Sequence, residues 1–251
     1  MSTVEYVFAD GALQRSGLQT GDLLAADSWL VLDGAVRGLH WHHRRFQQAS
    51  TETGHGDTTA FWAAVVAAFP KQGAWFPRVE LTPAGTFQLR VRPSPPIGKA
   101  IRIHRADQPD KRVHPRRKGP DLPLLNNIRE QARAAGADET LLVDDHGYVL
   151  ESATASLIWW ENDILCVPDE DLPVLDGVTT RVIIEHAYAL GITVGRRRRQ
   201  PHQLVDKEAW LVNALHGLRP IVAWPTVPAV PATRAPYWQG VLESLRVPLP
   251  V

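Results

Sequence analysis

A proline-rich, basic stretch at residues 93–123 limits how this chain can fold more than any other feature of its sequence. The stretch, PSPPIGKAIRIHRADQPDKRVHPRRKGPDLP, holds seven prolines and many basic residues around one short apolar run, AIRIH. Proline resists regular β-pairing and charged side chains prefer water, so this composition is typical of a crossover between domains. We therefore place a boundary near residue 97. We expect a small N-terminal α+β domain at residues 1–97 and a larger domain at residues 98–251.

Strand and helix patterns are mixed on both sides of that stretch. The segments before it are two strand-and-turn patterns, two helical patterns and one hairpin: STVEYVFADG, SWLVLDGAV, LHWHHRRFQQAS, DTTAFWAAVVAAFP and AWFPRVELTPAGTFQLRVRP. The helical segments after it are LLNNIREQARAAG, GVTTRVIIEHAYALG and APYWQGVLESLRV. Between the first two of these, GADETLLVDDHGYVLESATASLIWW at residues 136–160 predicts two antiparallel strands around a turn. The whole pattern predicts an α/β (α+β) fold.

Composition and charge narrow the class of protein. The 251 residues include 27 basic and 27 acidic side chains, so no overall field favours a nucleic-acid or membrane partner. The N-terminal sequence lacks a basic-then-apolar signal, and no apolar run approaches the roughly 18 residues of a membrane helix. Cys166 is the only cysteine, which excludes a disulfide within the chain and favours a reducing compartment. We expect a cytoplasmic protein.

Two ionisable residues could carry chemistry. Glu151 stands where the second strand of its hairpin turns apolar, and a buried carboxylate needs a partner. An arginine would satisfy it, and so would the protonated ring nitrogen of a pyridine cofactor. Lys118 lies in a loop before a helix, where it is either a solvated charge or a Schiff-base lysine whose pKa is depressed by Arg116 and Arg117.

A helix start and two clusters of basic residues could also bind a ligand: an anion, a metal ion or a nucleic acid. Gly177 precedes a helix that opens with Val178, Thr179 and Thr180, and such a start favours an anion, although simple capping is the alternative. Of His40, His42 and His43, His40 and His43 share a helix face without a third ligand or an acidic partner, so we predict no metal site. The run GRRRRQPH at residues 195–202 has no stacking aromatics beside it and is read as a solvated strand end.

Taken in order, these fragments resemble the class IV pyridoxal-phosphate enzymes of fold type IV, which include branched-chain aminotransferases, D-amino acid aminotransferases and 4-amino-4-deoxychorismate lyases. The resemblance rests on Lys118, the GADE turn, DDHGYVLES and LDGVTTR. VLDGAVRGLHWHHRRF is similar to the family's pattern of a DG turn followed by a His-x-x-Arg helix, with His42, Arg45 and Phe46 at the matching positions. EAWLVNALHGLRPIVAW is more similar to the lyases, which have NAL there, than to the branched-chain enzymes. The likeness covers most of residues 20–224.

The resemblance implies a fold with a small N-terminal domain, a larger α/β-barrel-like domain and pyridoxal 5′-phosphate as cofactor. It also implies roles for particular residues. Lys118 would form the Schiff base and move a substrate proton, and Glu151 would keep the pyridine nitrogen protonated. The phosphate side would comprise Arg45, the amides of Val178 and Thr179, and the turn at Ala214 and Leu215. Ser28 aligns with a small hydroxyl residue near the lyase active centre, and Arg78 falls near a substrate-carboxylate ligand. The family's usual homodimer is implied as well.

Departures from the family pattern shape the choice of reaction. Branched-chain enzymes have a tyrosine five residues after the lysine, where this chain has Pro123, and the usual asparagine after the glutamate is Ser156. Together with the short chain and NALHG, this favours a 4-amino-4-deoxychorismate lyase of folate biosynthesis, which releases pyruvate and forms 4-aminobenzoate. Two alternatives stay open: an aminotransferase for a D-amino acid or a related small amine, and a catalytically degenerate binding protein that keeps the fold.

Overall fold

The computed structural model describes residues 2–18, 21–106 and 108–250. Contacts divide the chain into two compact units, and one division falls between Ile97 and Gly98. The first unit also includes Arg117–Pro120 and the C-terminal residues from Leu245 onward. The lysine loop therefore packs with the first unit, whereas the sequence placed Lys118 in the larger domain.

The first unit contains two antiparallel sheets and two helices. The larger sheet has the order β2-β1-β8-β7-β3 and the smaller one β17-β5-β4-β6. The strands are β1 Val4–Ala9, β2 Ala12–Arg15, β3 Ala25–Ser28, β4 Val31–Leu32, β5 Ala35–Val36, β6 Ala74–Trp75, β7 Arg78–Leu81, β8 Phe87–Val91 and β17 Val247–Pro248. The helices are α1 Leu39–Glu52 and α2 Thr59–Ala67.

Alternation along β7 and β8 divides the residues of the larger sheet between its two faces. Val79 and Leu81 on β7 and Leu89 on β8 are fully buried apolar residues at alternate positions. Phe46 on α1 and Phe61 on α2 are buried too and pack their rings against each other, with centroids 6.0 Å apart. The intervening residues of β7 and β8 point to the opposite face, where the sheet presents charged side chains instead.

The second unit is an eight-stranded sheet with three helices. Its strands are β9 Ile101–Arg105, β10 Glu139–Val143, β11 Val149–Ser152, β12 Ser156–Glu161, β13 Ile164–Pro168, β14 Val194–Arg197, β15 Ala209–Asn213 and β16 Gly217–Ala223. Its helices are α3 Leu122–Ala134, α4 Val178–Ala189 and α5 Ala235–Ser244, with a short 3₁₀ turn at Pro201–Gln203.

Six of these strands close into a ring. The sheet order is β11-β10-β9-β16-β15-β12-β13-β14, and β11 also pairs with β12. Apolar residues from all six strands, among them Leu141, Leu157, Leu211 and Ile221, form one buried cluster. The ring is therefore a packed barrel core, as the resemblance to fold type IV implies.

The segment at residues 136–160 differs from the prediction. It forms three strands, β10, β11 and β12, because a tight turn interrupts the second predicted strand after Ser152. Ser152 N donates to Ala155 O at 2.8 Å, and Ala155 N donates to the Ser152 hydroxyl at 3.0 Å. These local side-chain hydrogen bonds compete with a continuous ladder, which alternation alone does not reveal.

The arginine run after residue 195 lies at the end of β14 and is matched by carboxylates. The pairs are Arg196 with Glu170 at 3.4 Å, Arg198 with Asp171 at 3.2 Å and Arg199 with Glu161 at 2.8 Å.

Within the described residues, no helix is long and apolar enough to cross a membrane, and no group of three His, Cys, Asp or Glu residues could hold a metal ion.

Candidate functional site

Lys118 is held at its backbone by the edge of a sheet. Its carbonyl oxygen accepts a hydrogen bond from Ala26 N at 2.7 Å, and Ala26 belongs to β3. The next residue, Gly119, has φ +130°, and an ideal Cβ there would lie 2.7 Å from the backbone of Ala25 and Ala26. Only glycine permits this approach, so the unusual Lys-Gly sequence has a structural cause.

Arg45, the predicted phosphate ligand, lies on α1 and faces a buried acid on β3. Its Nε donates to Asp27 Oδ2 at 2.9 Å and its Nη2 donates to Asp27 Oδ1 at 2.8 Å, so the pair is bidentate. The resemblance did not single out Asp27. The available signal was one acidic residue inside the apolar run LLAADSWLVL.

His42 completes a buried cluster with these two residues. Its Nδ1 lies 2.9 Å from Asp27 Oδ1. Burial alone would raise the pKa of Asp27, but Arg45 and His42 outweigh it and hold that pKa well below its ordinary value. Burial lowers the pKa of His42, Asp27 opposes this, and Arg45 and Lys118 lower it further. Asp27 is therefore ionised and His42 neutral, with its Nδ1 proton directed at the carboxylate.

Glu151, the predicted partner of the ring nitrogen, is buried at the end of β11. Its Oε1 accepts hydrogen bonds from Arg112 Nη1 at 2.6 Å and Leu175 N at 2.9 Å. Burial raises the pKa of Glu151, and Arg112 limits that rise. Arg112 is itself held by Asp110 at 2.8 Å. An arginine therefore holds the carboxylate at one oxygen, which is the alternative partner that the sequence left open. Which arginine this would be, 39 residues away, could not be read from the sequence.

The start of α4 has the features of an anion site. Its N-cap is Gly177, and no side chain among the described residues caps it, which differs from the simple capping alternative. Val178 and Thr179 are the first two helical residues and both are buried. The hydroxyl oxygen of Thr180 is buried without a hydrogen-bond partner in the described structure. Unsatisfied N–H groups, a positive helix end and a free hydroxyl together suit a phosphate.

A cavity of about 410 Å³ in the second unit connects two of these features. Glu151, Ser156, Gly177 and Thr180 are among the residues that line it. A Cβ added at Gly177 would lie 2.5 Å from the Ser156 hydroxyl oxygen, so the wall is closely fitted there. The wall of this cavity thus contains a buried carboxylate, which suits the ring nitrogen of pyridoxal phosphate, and an unsatisfied helix start, which suits its phosphate.

The turn at Ala214 and Leu215 follows β15 and is organised by the residue before it. Asn213 Oδ1 accepts hydrogen bonds from Leu215 N at 3.1 Å and His216 N at 2.8 Å. Asn213 Nδ2 donates to Thr154 O at 3.2 Å, which joins this turn to the segment after Glu151. Ala214 and Leu215 do not line the cavity described above.

Ser28 and Arg78 lie directly opposite each other on β3 and β7. Ser28 is buried, and its backbone N donates to Asp27 Oδ1 at 2.7 Å. Arg78 pairs with the buried carboxylate of Glu80. The predicted residues thus form two groups: Lys118, Arg45, Ser28 and Arg78 in the first unit, and Glu151, Val178, Thr179, Ala214 and Leu215 in the second.

Comparison with known proteins identifies the family. The family described as amino-transferase class IV matches residues 25–224. Stretches of the chain are 30% identical over 112 residues to a probable branched-chain-amino-acid aminotransferase of Rickettsia conorii, and 32% identical over 95 residues to an aminodeoxychorismate lyase of Bacillus subtilis. These stretches cover 43% and 36% of this chain, and 38% and 32% of the respective relatives. The chain thus matches well under half the length of these curated relatives.

The fold is similar to that of solved aminotransferases. A hypothetical aminotransferase from Mycobacterium tuberculosis, solved in a PLP-bound form, superposes with a TM-score of 0.82 at 19% identity, covering 97% of this chain and 98% of that one. At this identity the likeness concerns the fold, which is that of the fold type IV aminotransferases.

Proposed function

This chain belongs to the aminotransferase class IV family and is a pyridoxal-phosphate-dependent lyase or aminotransferase. From that premise we propose that it is a 4-amino-4-deoxychorismate lyase. Such an enzyme converts 4-amino-4-deoxychorismate into 4-aminobenzoate and pyruvate, a step of folate biosynthesis.

The observation that carries the cofactor part is the cavity wall made by Glu151, Gly177 and Thr180. Bound pyridoxal phosphate supplies an electron sink for charge that develops on the substrate. Glu151 holds a proton at the ring nitrogen, and Arg112 keeps that carboxylate in place from behind. The start of α4 supplies N–H donors to the phosphate.

The lysine loop carries the covalent and proton-transfer roles. Lys118 would hold the cofactor through its Nζ and, when the substrate has freed it, would accept the proton from the substrate ring. Arg45, oriented by its bidentate contact with Asp27, would donate hydrogen bonds to the phosphate. Aromatisation of the ring then drives the departure of pyruvate.

The turn NALHG favours the lyase reaction. Asn213 shapes that turn through its hydrogen bonds to two following amides, and the chain is similar there to the lyases. Pro123 lies in the first turn of α3, where branched-chain enzymes have their tyrosine. The similarity to an aminodeoxychorismate lyase of Bacillus subtilis supports the same choice.

An aminotransferase for a D-amino acid or a related small amine is the second candidate. The matches to branched-chain aminotransferases favour it, and both reactions would use the same cofactor residues. A transaminase given an amino donor alone converts its cofactor to the amine form and loses the yellow absorbance. The lyase releases pyruvate without a keto-acid acceptor.

Pyruvate release from 4-amino-4-deoxychorismate tests the proposal. We expect the native protein to release pyruvate without an added acceptor, and Lys118→Ala to lose at least about 10³-fold in rate, since the nucleophile and the proton carrier are the same group. Pyruvate is followed through lactate dehydrogenase. Lys111→Ala, at an exposed lysine of the same loop, is the matched control and should keep the native rate.

Other outcomes identify the alternatives. Pyruvate release that is equal in the native and Lys118→Ala proteins would contradict the assigned lysine. Loss of the yellow absorbance with D-alanine alone would favour the aminotransferase. Purified protein that forms no yellow complex with pyridoxal phosphate would favour a degenerate binding protein.

We propose, in addition, that the enzyme acts in the cytoplasm, as its single cysteine favours. We also propose that it is a homodimer, as the family resemblance implies. Light scattering tests the assembly: a homodimer would have twice the 27.8 kDa mass of the chain.

A further inference from the structure

Asp27 is the most completely enclosed ionised group beside the lysine loop. Its side chain has no exposed surface, although it lies on a strand whose neighbouring residues are mostly apolar. A buried carboxylate is costly unless its lone pairs are used, and here four donors use them. The donors are Arg45 Nε at 2.9 Å, Arg45 Nη2 at 2.8 Å, His42 Nδ1 at 2.9 Å and Ser28 N at 2.7 Å.

The bidentate contact fixes the plane of the Arg45 guanidinium. A carboxylate that accepts from both Nε and Nη2 permits one orientation of that plane and turns Nη1 away from itself. His42 lies one helical turn before Arg45 on α1 and binds the same carboxylate oxygen. Asp27 therefore anchors two residues of α1 to β3 at one point.

The same short stretch of β3 also holds the lysine loop. Ala26 N donates to Lys118 O at 2.7 Å, and Asp27 is the next residue along the strand. Lys118 is close enough to lower the pKa of His42. Two consecutive residues of β3 thus locate both the lysine loop and the arginine.

We propose that Asp27 is a positioning residue that holds the Arg45 guanidinium in the orientation required to bind the phosphate of pyridoxal phosphate. This inference rests on the proposed function, in which Arg45 contacts that phosphate. Asp27 itself does not touch the cofactor. Its removal should therefore affect ligands that carry the phosphate and spare those that lack it.

Equilibrium binding of two probes to the apoprotein tests this. Pyridoxal phosphate and pyridoxal share the aldehyde and the ring, and both bind Lys118 with a measurable absorbance. We expect Asp27→Asn to weaken pyridoxal phosphate binding by about 10- to 100-fold, the range for a lost charge-assisted hydrogen bond, and to leave pyridoxal within about threefold. Arg45→Gln should show the same selectivity.

The double variant distinguishes action through Arg45 from an independent effect. If Asp27 acts only by orienting Arg45, Asp27→Asn combined with Arg45→Gln should bind pyridoxal phosphate about as weakly as Arg45→Gln alone. Asp10→Asn is the matched control, since Asp10 is an exposed acid of the same unit at a left-handed position that asparagine tolerates. It should leave both affinities unchanged.

Several results would overturn the inference. Asp27→Asn could bind pyridoxal phosphate as tightly as the native protein, or more tightly because a negative charge has gone. Asp27→Asn could weaken the binding of both probes equally, or the effects of Asp27→Asn and Arg45→Gln could multiply in the double variant.

A second variant, Asp27→Glu, keeps the charge but shifts the carboxylate, so we expect it to lose selectivity for the phosphate form as Asp27→Asn does. Failure of both Asp27 variants to fold would assign Asp27 to folding alone. If the native protein bound neither probe, the proposed function itself would fail.

Discussion

Three arginines on one face of the larger sheet compete for two carboxylates. Arg78 pairs with Glu80, which is buried, and Arg90 pairs with Glu80 at 3.2 Å and with Glu5 at 2.5 Å. The predicted substrate ligand, Arg78, is therefore already neutralised by its own strand. The cluster keeps one excess positive charge.

Arg92 holds that excess charge. Its Nε donates to Phe76 O at 2.8 Å, and its guanidinium lies 5.0 Å from the centroid of the Phe76 ring. Within the described chain no carboxylate forms an ion pair with it. Burial, together with Arg78 and Arg90, lowers the pKa of Arg92 to about 10, so it stays charged at neutral pH. A held but unpaired arginine is better suited to a substrate carboxylate than Arg78.

Substitution of Arg92 should therefore change recognition of the carboxylate. We expect Arg92→Gln to raise KM for a carboxylate-bearing substrate by about 10- to 100-fold with a smaller change in kcat, since the charge binds ground state and transition state alike. Steady-state kinetics of pyruvate release measure both constants. Arg15→Gln, at an exposed arginine of the same sheet, should behave as native. An unchanged KM in Arg92→Gln, with a raised KM in Arg78→Gln, would return the role to Arg78.

At the scale of elements, the packing of the lysine loop against β3 depends on one glycine. Gly119 combines a positive φ with a backbone approach that leaves no room for a side chain. Both the conformation and the contact exclude alanine without movement of Lys118. The position of the loop is therefore set by its backbone.

We expect Gly119→Ala to destabilise the protein by at least about 2–3 kcal/mol, the sum of a strained dihedral angle and a backbone clash. Urea unfolding gives the free energy, and the absorbance of bound pyridoxal phosphate reports whether Lys118 has moved. Gly240→Ala is the control, because Gly240 lies exposed in α5 with nothing within 4 Å of an added Cβ. Alanine there should stabilise by roughly 0.5–1 kcal/mol. Equal effects of the two substitutions would contradict the packing argument.

The sequence predicted elements better than it predicted contacts. Apolar periodicity and terminal glycines gave the helices, including α1 and α4, because burial of one face and capping are local properties. The split at Ser152 was missed because a hydroxyl hydrogen bond closes that turn. Asp27 and Arg112 were missed for another reason: their partners lie 18 and 39 residues away, and no local pattern encodes such pairing.

At the scale of the whole molecule, a half-buried histidine links distant parts of the second unit and makes stability depend on pH. His216 Nδ1 accepts a hydrogen bond from Gly98 N at 3.0 Å, so the neutral imidazole joins residues 118 apart. Burial, Arg219 and Arg129 lower the pKa of His216 to about 4. In the unfolded chain the same group titrates near its ordinary value of about 6.5.

The direction of the pH effect follows from these two values. Between about pH 6.5 and pH 4 the unfolded chain binds a proton at His216 that the folded chain does not, so the free energy of unfolding falls as the pH falls. We expect this group to contribute on the order of 1–2 kcal/mol across that interval, less than full burial would give because the imidazole is partly solvated. Urea midpoints at closely spaced pH values measure this contribution.

His216→Gln keeps an acceptor for Gly98 N but cannot titrate, so its curve of unfolding free energy against pH should be flatter than the native one. His202→Gln, at an exposed histidine, should follow the native curve. Parallel native and His216→Gln curves would show that His216 has the same pKa in the folded and unfolded chains, which would contradict the predicted contribution.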